Sequence, residues 1–332
     1  MAGGKDVIRM ARMIALTAFV VLGVTSCRNG KNPMLARSGG APFEVLVVCS
    51  DSLWNSTSGR ALYNILDADV EGLPQPESQF KISHASPDNY NQITRLARNI
   101  VIVSADASLY TSTKVRYEKN VYAQPQMIVY VNTPSGNKML RDMNKIGNTV
   151  TTLLNRAEIN AEIDVLGDRH HIKYGQLIKR MFDVNLWIPA DMRSIKKGKD
   201  FVWISDNAIS GMRSICIYSY PMDGKMTQRQ IMEKRDSVMR RNIPGETDGM
   251  YMHTVAASVK CKLTKENGHR IYIARGLWEM TGDAMGGPFV SHSVVDSAHR
   301  RIIVAEGFVY APEMKKRNKI RMLEAALYTL NK

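Results

Sequence analysis

The chain has 332 residues, with 45 lysines and arginines against 31 acidic residues, and a formal net charge of +14. That length exceeds what one hydrophobic core usually organises, so two packed lobes are expected. Four cysteines with no Cys-x-x-Cys pair exclude a thioredoxin-like site and a zinc knuckle, and the charge points to anionic neighbours.

Lys5, Arg9 and Arg12 precede the apolar run Met13–Val24, giving the charged and hydrophobic regions of a secretory signal. The run falls short of the roughly 20 apolar residues that a membrane span needs. It ends in Val24-Thr25-Ser26-Cys27, which resembles the bacterial lipobox. Residues 1–26 are therefore expected to be cleaved and Cys27 to carry the lipid. Several acyl chains, at about 0.8 kcal/mol per buried methylene, make such an attachment effectively permanent. Cleavage removes three cations and one anion and leaves +12. Residues 27–42, with Gly, Ser, Asn, Pro and the cations Arg28, Lys31 and Arg37, read as a flexible basic linker.

The first lobe is expected over residues 43–165. Glu44–Cys49 reads as a buried strand, and Ser50-Asp51-Ser52 turns into a short helix through Ala61, Leu62, Ile65 and Leu66. Pro87 and Asp88 signal a second helix with Ile93, Leu96, Ala97 and Ile100 on one face, feeding a strand at Ile100–Val103. A strand at Met127–Val131 leads into a long helix whose apolar stripe is Met139, Met143, Ile146, Val150 and Leu153.

The second lobe, residues 166–332, begins with a helix near Gln176–Phe182 and strand signals at Leu186–Pro189, Phe201–Ile204 and Ser214–Tyr218. Thr227 and Gln230 form a capping box for a helix reaching about Asn242, before Pro244-Gly245. Strands near Thr254–Leu263, Arg270–Met280, Phe289–Val295 and Arg301–Ala311 follow on short turns, the pattern of an antiparallel meander. A last helix has Pro312 near its first turn and Ile320, Leu323, Leu327 and Leu330 inside. The fold expected is α+β: a small N-terminal α/β lobe, then an antiparallel-sheet lobe capped by helices.

Candidate chemistry concentrates in Gly276–Ser291. Gly282, Gly286 and Gly287 admit unusual backbone angles, and Pro288 fixes the exit. Turn chemistry with Trp278 and Phe289 packed below explains every residue. The sharper alternative makes the turn a ligand or partner surface, with Trp278 as a platform and Glu279 or Asp283 as a catalytic carboxylate. A second surface is the basic run Lys315, Lys316, Arg317, Lys319 and Arg321 at the start of the last helix, where the macrodipole disfavours cations. Phosphates of a glycolipid or an acidic partner would offset that, as would solvation with pairing to Glu313 and Glu324. Arg275 and Glu306 are expected to pair across the sheet. With Cys27 used by the lipid, Cys49 reads as a buried strand residue, and Cys216 and Cys261 could bridge only if their strands are neighbours. Histidine spacing supports no metal site, and neither a Gly-x-Ser-x-Gly nor a phosphate-cradling loop is present, so no cofactor is expected.

The segments Leu186–Pro189, Phe201–Trp203, Arg275–Glu279, Gly282–Ser291, Glu306–Pro312 and Lys316-Arg317 resemble the Bacteroidota lipoprotein family known as domain of unknown function 4837. The resemblance implies an outer-membrane or periplasmic lipoprotein and carries over no catalytic residue. In that phylum, surface export goes with acidic residues after the lipidated cysteine. Arg28–Asn32 has none, which implies the inner leaflet of the outer membrane, facing the periplasm. The phylum's O-glycosylation triplets match at Ser52, Ser237 and Ser297, with Ser297 and Ser52 the candidates. The leading expectation is a non-enzymatic binding or scaffold module of the envelope, with an anionic glycolipid or envelope protein as partner and no nucleic acid. The alternatives are a hydrolase or glycan-modifying enzyme using a carboxylate near Gly282–Pro288, and a lipid or lipopolysaccharide carrier.

Overall fold

Val45 and Val47, Val101 and Val103, and Val129 and Val131 alternate along three strands, so all six side chains fall on one face of a sheet. They pack there on Leu62, Leu66, Met139, Ile146, Val150 and Leu154 of the covering helices. The computed structural model describes residues 35–222, 226–266 and 269–331. The expected signal segment 1–26, the lipid site Cys27 and the linker to residue 34 lie outside the described residues.

The first lobe holds β1 (Glu44–Val48), β2 (Lys81–Ala85), β3 (Asn99–Ala105), β4 (Lys114–Lys119) and β5 (Met127–Thr133) in the order β2-β1-β3-β5-β4. The first three strands and β5 run parallel, and β4 closes the edge antiparallel. Helix α1 (Asp51–Trp54) and α2 (Thr57–Leu66) follow β1, and the Ser56 hydroxyl caps α2 by accepting from the Gly59 amide at 3.3 Å. After β5 come α3 (Gly136–Arg141) and α4 (Met143–Asp168), so the expected long helix breaks at Asp142, yet its stripe still faces the sheet.

The expected helix after Pro87 is absent: only the 3-10 turns Pro87–Asn89 and Thr94–Leu96 form. The Asn91 side-chain oxygen accepts from the amides of Ile93 (2.9 Å) and Thr94 (3.2 Å), which closes a local turn in place of a helix. Ile93, placed by periodicity on the buried face, is 79% exposed.

The second lobe is a seven-stranded antiparallel sheet. Its strands are β6 (Ser194–Gly198), β7 (Phe201–Ser205), β8 (Met212–Pro221), β9 (Met252–Glu266), β10 (His269–Met280), β11 (Gly286–Asp296) and β12 (Arg301–Tyr310), in the order β9-β10-β11-β12-β8-β7-β6. Alternation sends Ile215, Ile217, Ile273, Val290, Ile303 and Ala305 to the face covered by α5 (Ile172–Phe182) and α7 (Arg317–Leu327). Cys216, Tyr218, Phe289, Val304 and Phe308 point to the opposite face, under α6 (Gln228–Asn242). The capping box forms as expected, Thr227 accepting from the Gln230 amide and Gln230 from that of Thr227.

Three expectations need correction. Leu186–Pro189 is not a strand, although Leu186 and Ile188 fill the core. The last helix starts at Arg317, because Pro312 belongs to the turn before it. Cys216 on β8 and Cys261 on β9 have three strands between them, so they cannot bridge, and both are free thiols. The lobes form one body from Arg37 onward, with α4 of the first packed on α7 of the second.

Candidate functional site

The glycine-rich turn proves to be built by backbone crowding. Gly282 has φ +81°, the left-handed conformation that lets the Asp283 amide donate back to the Met280 carbonyl. A Cβ on Gly287 would lie 2.0 Å from the Val309 carbonyl oxygen, and one on Gly286 2.9 Å from that of Trp278. Both glycines are therefore dictated by strand pairing. Pro288 is buried in β11, opposite Leu277. Trp278, offered as a platform, is 1% exposed and packs edge-on against Phe308 at 5.6 Å, so it belongs to the core. Glu279 and Asp283 are exposed at the hairpin tip and line none of the pockets described below.

The basic segment is consumed internally. Glu77, on the first lobe's long loop after α2, places its carboxylate at the N-terminus of α7 and accepts from the amides of Lys316 (2.6 Å) and Arg317 (3.0 Å). This anion satisfies the orphan amides and offsets the macrodipole, the role expected of an external phosphate. Lys316 is buried, and Arg317 donates to the Ser78 carbonyl at 2.6 Å. Of the five cations of the run only Lys315 remains exposed. Glu324 is bound by Arg275.

Arg275 and Glu306 do not pair. They point to opposite faces of the sheet, on strands separated by β11: Arg275 shares its face with Ile273 and reaches Glu324 of α7, while Glu306 points to the α6 face. There Arg235 of α6 donates to both Glu306 oxygens from Nε at 3.0 Å and again from Nη2 at 2.8 Å. Arg235 also donates to Thr254 at 2.9 Å and lies 4.1 Å over the Phe289 ring. Burial pulls this guanidinium down, and the charge and hydrogen bonds of Glu306 hold it up. Such a fully bonded, sealed pair has the form of a structural device.

The open site lies between the lobes. A cleft of about 670 Å³ is walled on one side by α4, through Thr151, Thr152, Asn155 and Arg156, and by the loop from Ala68 to Leu73. On the other side stand Lys262 of β9, Arg275 of β10 and Arg321 and Glu324 of α7, over an apolar floor of Ile273, Val290 and Ile320. A volume in this range suits a small organic ligand. Lys260 and Glu71 join across the rim at 2.7 Å, and Asn155 donates to the Gln79 side chain at 3.3 Å. Arg321 donates to the Gln79 carbonyl at 3.1 Å and lies 4.3 Å over the Phe43 ring. Burial, together with the nearby charges of Arg317 and Arg275, lowers its pKa to about 10 despite Glu324. Behind the floor His292 is fully buried edge-on to Tyr328; burial first, and then Arg275, hold its pKa down at about 3.

A shallower pocket of about 670 Å³ beside α6 collects Arg240, Arg241, Tyr251, His253 and Thr281. Among the described residues no His, Cys, Asp and Glu group could hold a metal ion, and no helix is long and apolar enough to cross a membrane. Ser297, Ser52 and Ser237 are all exposed. The aspartate before Ser297 is committed, since Asp296 accepts from Arg301 (3.0 Å) and bonds His299 (2.8 Å). Sequence reasoning missed the cleft because its walls come from segments about 100 to 250 residues apart, and Arg321 stood in the basic run as one cation among many.

Residues 172–329 match the family model described as Domain of unknown function (DUF4837). Residues 38–166 match a different model, Domain of unknown function (DUF8532). No curated protein matches the chain. The resemblance expected over most of the chain is thus confined to the second lobe, where all its quoted segments fall. The chain carries two domains of unknown function, DUF8532 as the first lobe and DUF4837 as the second.

Proposed function

We propose that the protein is a lipid-tethered envelope lipoprotein of the Bacteroidota type, facing the periplasm, whose work is to bind a ligand in the interlobe cleft without chemically changing it. The cleft carries this reading: it is a concave site of about 670 Å³ that needs both lobes for its walls, and it mixes unspent cations with an apolar floor. The glycine turn and the basic run, the surfaces first favoured for recognition, are occupied with strand packing and lobe docking. The tether is supported by the Val24-Thr25-Ser26-Cys27 sequence and by a folded body that begins about ten residues later.

Two measurements test the halves separately. Cells expressing the full chain should incorporate labelled palmitate, and Cys27→Ala should not; equal labelling of both would remove the tether. Thr152 is exposed on the α4 wall, so Thr152→Trp fills the cleft without disturbing a core. Small molecules extracted from the purified full chain should include a component missing from that variant. An identical extract from both would remove the cleft as the ligand site.

A further inference from the structure

Several of the body's arginines are matched by carboxylates. Arg98 meets Glu158, Arg213 meets Asp191 and Asp206, Arg235 meets Glu306 and Arg275 meets Glu324. Arg321 departs from this pattern. Among the described residues its only hydrogen bond is to the Gln79 carbonyl, its ring contacts are Phe43 and Phe80, and no carboxylate lies within ion-pair distance. A guanidinium offers five donors in a planar fork, so most of its capacity is left to the cleft that it lines.

The carboxylates that share the cleft do not fill that gap. Glu71 is held by Lys260, Glu324 is held by Arg275, and Asp69 stands exposed at the rim. Lys262 adds a second cation, which forms no ion pair among the described residues. A partly desolvated guanidinium beside the positive groups Arg317 and Arg275 is the place where an incoming anion gains most, through charge-assisted and bidentate hydrogen bonds. Ile273, Val290 and Ile320 lie next to it, and the volume far exceeds what a lone phosphate would occupy.

We propose that the cleft takes an organic anion with an apolar body, its carboxylate or phosphate head bound by Arg321 and Lys262 and its hydrocarbon laid on Ile273, Val290 and Ile320. This rests on the cleft being the ligand site. The head could belong to a membrane lipid or to a soluble metabolite, which share this chemistry.

The test is isothermal titration of the full chain with octyl phosphate and octanoate, and with octyl glucoside below its micelle concentration as the uncharged control. Both anions should bind, octyl glucoside at least tenfold more weakly. Arg321→Gln, which keeps a donor for the Gln79 carbonyl, should weaken anion binding tenfold or more and leave the glucoside unchanged. Arg321→Lys should retain most of the affinity, which separates lost charge from lost folding. Thr152→Trp should abolish all binding. Anion binding that ignores Arg321→Gln, or a preference for the glucoside still blocked by Thr152→Trp, would overturn the charge assignment while keeping the cleft. Anion binding untouched by Thr152→Trp would overturn both. A parallel arm offers vesicles of phosphatidylcholine with fluorescent phosphatidate: extraction of the label supports a lipid source, and octyl phosphate binding without extraction supports a soluble one.

Discussion

The two faces of the second lobe's sheet carry the same chemistry in opposite states. On the α6 face Arg235 and Glu306 are both essentially inaccessible, joined by three hydrogen bonds and completed by Thr254. On the α7 face Arg275 and Glu324 border a cleft, and Arg321 next to them meets no carboxylate among the described residues. A sealed pair spends its charge inside the fold, whereas an open and incomplete set keeps charge for something else. What separates structural from functional arginine is thus whether the acceptors are already supplied.

That contrast breaks first at the sealed pair. Glu306→Gln should leave Arg235 buried without its counterion and cost about 3–5 kcal/mol in urea unfolding. A loss below about 1 kcal/mol would mean that the pair is not closed. The next effect is acid sensitivity from His292 behind the cleft floor. Its pKa near 3 in the fold lies below the ordinary value of 6.5, so between these the unfolded chain binds the extra proton. Stability from this group is complete above pH 6.5 and falls as pH drops toward 3, by about 1.4 kcal/mol per pH unit within the window. Unfolding midpoints at pH 7 and pH 5 should differ accordingly, and His292→Leu should flatten the slope.

Smaller effects sharpen the picture of the lobe junction. Glu77→Ala removes the carboxylate that caps α7 and should cost about 0.5–2 kcal/mol. Arg321→Gln, on the open side, should cost less than about 1 kcal/mol because no ion pair is lost. Its effect on stability should thus be several-fold below that of Glu306→Gln, and equal losses would erase the distinction. Glu279→Ala and Asp283→Ala, exposed at the hairpin tip, should stay within about 0.5 kcal/mol.

What sequence could show was whatever is local. The capping box at Thr227 and the four-strand meander are short-range patterns, and both form. The helix expected after Pro87 failed because apolar spacing competed with Asn91, whose side chain bonds the next turn's amides. Strands β2, β4 and β6 were missed because they lie on edges or half-exposed positions and lack an apolar run. The turn residues were noticed for the right reason, unusual backbone demands, but those demands come from the Val309 carbonyl and not from a ligand. The basic run looked uncompensated because Glu77 lies about 240 positions away. The cleft was invisible for the same reason, as long-range pairing alone brings Thr152, Arg275 and Arg321 together.

The central claim, that ligand binds between the lobes and not at the glycine turn, is met most directly by photocrosslinking in the native envelope. A benzoylphenylalanine is placed at Asp69 on the cleft rim in one full-length variant and at Asp283 on the turn in another; both positions are exposed. After irradiation and purification, intact mass should show a discrete small-molecule adduct on the Asp69 variant and none on the Asp283 variant. An adduct confined to position 283 would contradict the account and return recognition to the turn.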